Sequence, residues 1–199
     1  MARYMITHSL LYSWLYAMQD NPYAERDAYQ EFLQVLRREP TPTSEAMQNG
    51  IDFENLVTDI LHGRGHVDNR WFEAAADVAN FIRGGVLQVK VKRDLQVRGL
   101  DMLLYGRLDA LKGGVVYDIK FSKSYERGKY LHSTQHPVYL ALVPEAYEFT
   151  YLVSNGTSVW QETYRLEETE DVQNIIEDFL DWLERQGLLD LYKEKWLAL

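Results

Sequence analysis

Asp118-Ile119-Lys120 places a carboxylate and an ammonium two positions apart in an apolar, β-branched run, and Gly106-Arg107-Leu108-Asp109 brings a second carboxylate to the end of the preceding run. Strand side chains alternate between faces, so Asp118 and Lys120 share one face and Ile119 points to the other. Lys112-Gly113-Gly114 reads as the hairpin turn between the runs, and a hairpin draws Asp109 towards Asp118. Two crowded carboxylates repel. A divalent cation removes that penalty, and hard oxygen donors suit Mg2+ or Mn2+, with coordination positions left for water and a phosphate oxygen. A metal so held lowers the pKa of its water and polarises the phosphate, while Lys120 orients the attacking water or stabilises the charged transition state. Hydrolysis of a phosphodiester is the chemistry this predicts. The same residues would also serve as an exposed cross-strand ion-pair group of nearly neutral energy.

The elements that must position these groups follow from periodicity and punctuation. Ser9 to Gln19 and Ala24 to Arg38 read as helices, ended by Pro40 and Pro42. Ser44 to Leu61 reads as a third helix with Ser44 as its N-cap, and it carries Glu54. Trp71 to Ile82 is a fourth, closed by Gly84 and Gly85. Short strands follow at Val86 to Val91, Leu95 to Val97, Met102 to Leu111 and Val115 to Phe121, with Arg93-Asp94 read as a turn. Ser133 to Leu142 returns to helix, and Phe149 to Val153 and Val159 to Tyr164 form a hairpin around Asn155-Gly156. Thr169 to Arg185 is a strongly amphipathic helix, and a last helical piece ends at Leu199. This predicts one α/β domain over residues 1–199: a helical N-terminal part over 1–83, a core over about 44–165 and C-terminal helices over 168–199 that cover the core or a second subunit.

Taken together, these motifs resemble the RecB-like branch of the PD-(D/E)XK nucleases, which includes recombination and phage exonucleases. The likeness covers roughly Gly50 to Leu142. A helical Glu ahead of the core strands corresponds to Glu54, the proline-aspartate motif to Leu108-Asp109 without its proline, the (D/E)XK motif to Asp118-Ile119-Lys120, and the branch's Q-x-x-x-Y motif to Gln135 through Tyr139. The resemblance implies a restriction-endonuclease-like core, a mixed central β-sheet flanked by helices. It implies Mg2+ or Mn2+ on Asp109, Asp118 and the Ile119 carbonyl with Glu54 in support, and Lys120 assisting the water. It further implies an exonuclease acting on DNA in recombination, repair or phage DNA metabolism. Gln135 and Tyr139 stand on one helical face, where they hold DNA, brace the acids or pack into the core. Lys123 and Arg127, in the basic segment after Lys120, could steer a strand into the site.

Composition sets bounds on this. The chain has no cysteine, so disulfides, thiolate zinc sites and iron–sulfur clusters are excluded. The net charge of −9 opposes nucleic-acid binding, yet basic residues concentrate between Lys90 and Lys129 while acids dominate Glu167 to Glu184. No run approaches the ~20 apolar residues of a membrane span, and the N-terminus lacks a signal-peptide pattern, so the expectation is a soluble cytoplasmic protein without a membrane partner. His62 and His66 are four apart, but the intervening Gly63 and Gly65 argue against a metal pair, and Trp14, Trp71, Trp182 and Trp196 read as core or interface residues. Two alternatives stay open: an endonuclease on the same fold, and a catalytically silent nucleic-acid-binding or interaction module. A protein partner or a homo-oligomer is compatible with any of them.

Overall fold

The computed structural model describes residues 2–19 and 27–198. It is an α/β fold in which helices flank both faces of a mixed six-stranded sheet. The strands are β1 (Arg3–Thr7), β2 (Val86–Val97), β3 (Leu100–Lys112), β4 (Val115–Phe121), β5 (Glu148–Ser154) and β6 (Val159–Arg165). The helices are α1 (His8–Met18), α2 (Ala28–Leu36), α3 (Glu45–Leu61), α4 (Phe72–Ile82), α5 (Gln135–Leu142), α6 (Val172–Arg185) and α7 (Leu189–Lys195). The sheet separates two cores. On one face α1, α2, α5, α6 and α7 bury Leu10, Phe32, Val138, Phe179 and Tyr192 against Met102, Leu104 and Phe149. On the other, α3 and α4 bury Phe53, Val57, Val78 and Ile82 against Ala110 and Leu152.

Local chemistry sets the helix starts. Side-chain oxygens of Thr7, Asp27, Ser44 and Asp171 accept the first free backbone N–H groups of α1, α2, α3 and α6, each such cap stabilising its helix by ~1 kcal/mol. The expected helix from Ala24 begins at Ala28; residues 24–26, like Leu199, lie outside the described residues.

The topology creates an interrupted strand edge. β2 lines β3 from Val86↔Leu111 to Val97↔Leu100. The opposite edge is shared: β1 runs parallel from Arg3↔Asp101 to Thr7↔Tyr105, and β4 runs antiparallel from Ala110↔Tyr117 to Lys112↔Val115. Between Tyr105 and Ala110 that edge has no strand partner among the described residues. β4 continues alongside β5 in parallel register, Val115↔Glu148 to Phe121↔Ser154, and so diverges from β3 at a fork.

Several expectations are corrected here. The N-terminal part opens on strand β1, whose five residues gain stability by pairing with β3 rather than from a local signal. Arg93-Asp94 does not break β2: both residues stay in the ladder with β3 and their side chains find partners, Arg93 donating to the Ala141 carbonyl (2.8 Å) and Asp94 pairing with Arg3 (2.7 Å). Asp109 lies inside β3, which continues to Lys112. α6 begins at Val172 after a short 3-10 turn at Leu166–Glu168, and it covers the core of this chain.

Candidate active site

The site occupies the fork. Beyond the last β3–β4 pair, Ile119 donates its backbone N–H to Asp109 Oδ2 (2.8 Å), so a side chain takes over where the ladder stops. Tyr117, Ile119 and Phe121 pack on the α3/α4 face, which turns Asp118 and Lys120 to the α1/α5 side, the sharing of one face expected from alternation. Asp118 is only 5% exposed. Its Oδ1 accepts a short hydrogen bond from Gln135 Nε2. Its buried Oδ2 stands 2.7 Å from Lys120 Nζ as an ion pair.

Asp109 carries the electrostatic signature of the fork. Burial, followed by the charges of Asp118 and Glu54, pushes its carboxyl well above the ordinary carboxylate range, against the smaller opposing pulls of the Ile119 N–H and Lys120. Without a cation, a proton on Asp109 relieves the crowding of the acids.

Glu54 enters from α3, held by Gln88 Nε2 at 2.6 Å and standing 3.9 Å from the Arg107 guanidinium. Gln88 and Asp109 fall between the pairs Leu87↔Ala110 and Val89↔Leu108 of the β2–β3 register, and Gln88 adopts φ 53°, a left-handed conformation that is uncommon for a non-glycine residue. The alternation of faces breaks at this level: Val89 and Leu108 pack on one core, Leu87 and Ala110 on the other. The strained Gln88 thus marks the point where the pattern of both strands breaks and Glu54 comes near enough for its charge to act on Asp109. Sequence pattern does not single out Gln88, because it falls within an uninterrupted β run.

α5 closes the site from the other side. Gly106 lets it approach: a Cβ there would lie 2.5 Å from the Tyr139 ring and 2.8 Å from Leu142. The Tyr139 hydroxyl consequently reaches the Arg107 carbonyl (3.2 Å), which lies in the unpaired stretch of β3. Gln135 and Tyr139 therefore brace the acids and the strand edge together. His8, where α1 leaves β1, was also not anticipated: its Nδ1 is 2.9 Å from the Thr134 hydroxyl. Burial, then the charges of Lys120 and His136, hold its imidazole down to about 3. No local signal exposes this residue, because the partner it meets is 126 positions away.

The structure thus brings together Glu54, Asp109, Asp118, Ile119, Lys120, Gln135 and Tyr139. Lys123 and Arg127 are exposed on the segment after Lys120, outside this buried group. That segment is pinned by Glu162, a buried carboxylate accepting from Tyr125 Oη (2.8 Å), the backbone of Gly128 (3.2 Å) and Tyr130 (3.0 Å), and, in a short bond, Tyr164 Oη. His62 and His66 are exposed, and Trp14, Trp182 and Trp196 are buried in the core.

The fold is similar to a solved one. The structure of SSO0001 aligns with a TM-score of 0.57 over 92% of this chain and 77% of that one, at 18% sequence identity. At that identity the likeness is one of fold. No protein-family model matches the chain, and no curated protein does.

The donor set suits a hard divalent cation in part. Among the described residues no three His, Cys, Asp or Glu side chains form a metal-holding group. What the fork offers is two buried carboxylates, Asp109 and Asp118, that crowd one another and raise the Asp109 carboxyl. That complement fits Mg2+, which is commonly bound by one or two carboxylates and otherwise keeps water and phosphate oxygens. No helix among the described residues is long and apolar enough to cross a membrane.

Proposed function

We propose that the protein is a metal-dependent nuclease that hydrolyses DNA phosphodiester bonds, with Asp109, Asp118 and Lys120 as its catalytic residues. The observation that carries this reading is the Asp118–Lys120 ion pair (2.7 Å), buried at the strand fork beside a second carboxylate, Asp109, whose carboxyl is pushed up by burial and by the charge of Asp118. Burying two neighbouring carboxylates costs desolvation and repulsion, and acids perturbed in this way cluster at functional sites. Asp109, Asp118 and the Ile119 carbonyl would hold Mg2+ or Mn2+, with Glu54 in support; the ion would supply water activation and charge neutralisation on the phosphate.

The chain's own groups have separable tasks. Gln135 fixes the Asp118 carboxylate through Oδ1 and leaves Oδ2 turned towards Lys120. Lys120 presents its ammonium over the Asp118 oxygen and near the Tyr151 ring, where it orients the nucleophilic water and stabilises developing negative charge. Gln88 orients Glu54, and Tyr139 closes the strand edge beneath the acids. Resemblance to RecB-like PD-(D/E)XK nucleases, a restriction-endonuclease-like family, supports an exonuclease in DNA recombination, repair or phage DNA metabolism. The test incubates the purified protein with linear and covalently closed DNA, with Mg2+ or Mn2+ and with chelator. Cleavage of the linear DNA that requires the metal and is lost in Lys120→Ala is expected, with closed circles left whole by an exonuclease and cut by an endonuclease. Metal-independent products, or full activity in Lys120→Ala, would overturn the mechanism.

The net charge of −9 and the acidic C-terminal helix favour a second reading, a nucleic-acid-binding or interaction module without catalysis. DNA binding that is indifferent to metal and unaccompanied by cleavage would select it.

A further inference from the structure

We propose that α1 carries a track for single-stranded nucleic acid, on which Tyr12 and Tyr16 stack against successive bases of a strand whose backbone passes His8 into the fork. The inference rests on the phosphodiesterase reading of the site and assigns the form of its substrate.

His8, Tyr12 and Tyr16 succeed one another at four-residue spacing and so line one face of α1. Their rings form a continuous row: centroids of His8 and Tyr12 are 5.8 Å apart, and those of Tyr12 and Tyr16 are 6.2 Å apart with planes 17° from parallel. The row is open to solvent at its outer end, Tyr12 being 48% and Tyr16 36% exposed. Its inner end is the site itself. His8 meets the Tyr139 ring edge-on at 6.2 Å, bonds Thr134 and feels the charge of Lys120. Aromatic rings therefore run from the catalytic groups to the surface without interruption.

The spacing selects the ligand. Bases in a stacked strand lie ~3.4 Å apart, so rings about 6 Å apart suit a strand whose bases are drawn apart, one base to each ring. A duplex has no free base faces to offer. Base–aromatic stacking tolerates any sequence and is the usual device of proteins that bind single strands without base preference. The acids Glu168 and Glu170 line a hollow of about 600 Å³ with Leu15 and Met18, to which Tyr12 and Tyr16 do not contribute. A docked protein is the other occupant a tyrosine row could take; continuity with Lys120 and Tyr139 favours the strand.

Fluorescence anisotropy with labelled oligo(dT), oligo(rU) and blunt duplex DNA tests this on the whole protein in chelator, where no cleavage competes. Tyr12→Ala and Tyr16→Ala should each weaken single-strand binding on the order of 5-fold or more, Tyr12→Phe and Tyr16→Phe should keep it, and duplex binding should not change. Tyr12→Leu and Tyr16→Leu preserve apolar bulk without a ring and should behave as the alanine variants. Loss on oligo(dT), oligo(rU) or both supports the track and tells DNA from RNA. Unchanged single-strand binding in the alanine and leucine variants, no single-strand binding by the wild type, or equal loss on duplex overturns it. Cleavage is followed in parallel. Ring-dependent binding without metal-dependent cleavage sinks the nuclease reading alone, whereas Lys120-dependent cleavage with ring-independent binding sinks the track alone.

Discussion

Asp109 accepts the Ile119 N–H through Oδ2 at 2.8 Å, one step past the last β3–β4 backbone pair. A carboxylate thereby replaces the carbonyl that would extend the ladder, and the two strands part around it. This single contact fixes the separation of the Asp109 and Asp118 segments, which gives the acidic cluster its distinctive response to pH.

Burial and the charges of Asp118 and Glu54 raise the Asp109 carboxyl in the folded state. A raised acid binds its proton more tightly when folded, so its contribution to stability is present at low pH and is lost as pH rises from the ordinary value of 3.8 through the folded one. Asp109→Asn keeps a carbonyl oxygen for Ile119 and removes the charge. In chelator the variant should melt above the wild type at neutral pH and converge with it in acid, while its nuclease activity is abolished. A variant that melts below the wild type at neutral pH would show that the carboxylates are not in conflict.

The left-handed backbone of Gln88 separates stability from function. Gln88→Gly relieves a strain on the order of 1 kcal/mol and should leave the protein as stable as before. It deletes the donor to Glu54, and loss of a partner that orients a metal-site ligand typically reduces metal affinity or activity by about 10- to 100-fold. Titration of the cleavage rate with Mg2+, alongside thermal melts, checks both expectations; Gln88→Asn, which tolerates the conformation, should melt with the wild type as well.

Glu162 should prove the main anchor of the segment after Lys120. Burial alone would raise its carboxyl, but hydrogen bonds from Tyr164, Tyr125 and the backbones of Tyr130 and Gly128 outweigh it and lower the pKa below 4.5. The stabilisation is therefore present above about pH 4.5 and lost as pH falls through the folded value. Glu162→Ala leaves several donors without partners and should cost on the order of 3 kcal/mol in urea unfolding. Little change in unfolding would mean that the segment is held by its aromatic contacts alone.

His136 adds to the same loss of stability in acid, now from an imidazole. It stacks on Tyr164 at 4.1 Å, lies 3.2 Å from the Tyr151 hydroxyl, and is held down to about 4 by burial, against a smaller upward pull from Glu162. The unfolded chain takes up the proton first, so stability falls as pH drops from 6.5 towards about 4. A shift of that size corresponds to roughly 3 kcal/mol at ~1.4 kcal/mol per unit. His136→Phe should flatten the decline of melting temperature over this interval; an unchanged slope would place the linkage elsewhere.

What the sequence makes legible is local. The Lys112-Gly113-Gly114 turn has φ of 58° and 80° at its glycines, as a tight hairpin demands, so the approach of Asp109 to Asp118 follows from neighbouring residues. Ser44 caps α3 through Met47 as its type predicts, and the α/β class follows from the alternation of helical and strand periods. What escapes is set by distance along the chain. β1 exists because β3 offers it an edge, His8 matters because Thr134 lies against it, and Gln88 breaks the pattern where Glu54 comes near Asp109. None of these has a signature within a short window. The tryptophans were readable because large aromatic residues among apolar neighbours are stabilised most by burial.

The shared edge of β3 also governs when the molecule becomes competent. The hairpin that bears the acids closes early, from contacts a few residues long, but the wall beside it is supplied by β1 and α1, whose partners lie roughly a hundred positions downstream. Long-range pairings of this kind are the slow steps of folding. A chain with its hairpin formed and its first strand undocked would hold the acids without His8 or the tyrosine row, so recovery of cleavage during refolding should lag behind recovery of β structure and follow the docking of β1.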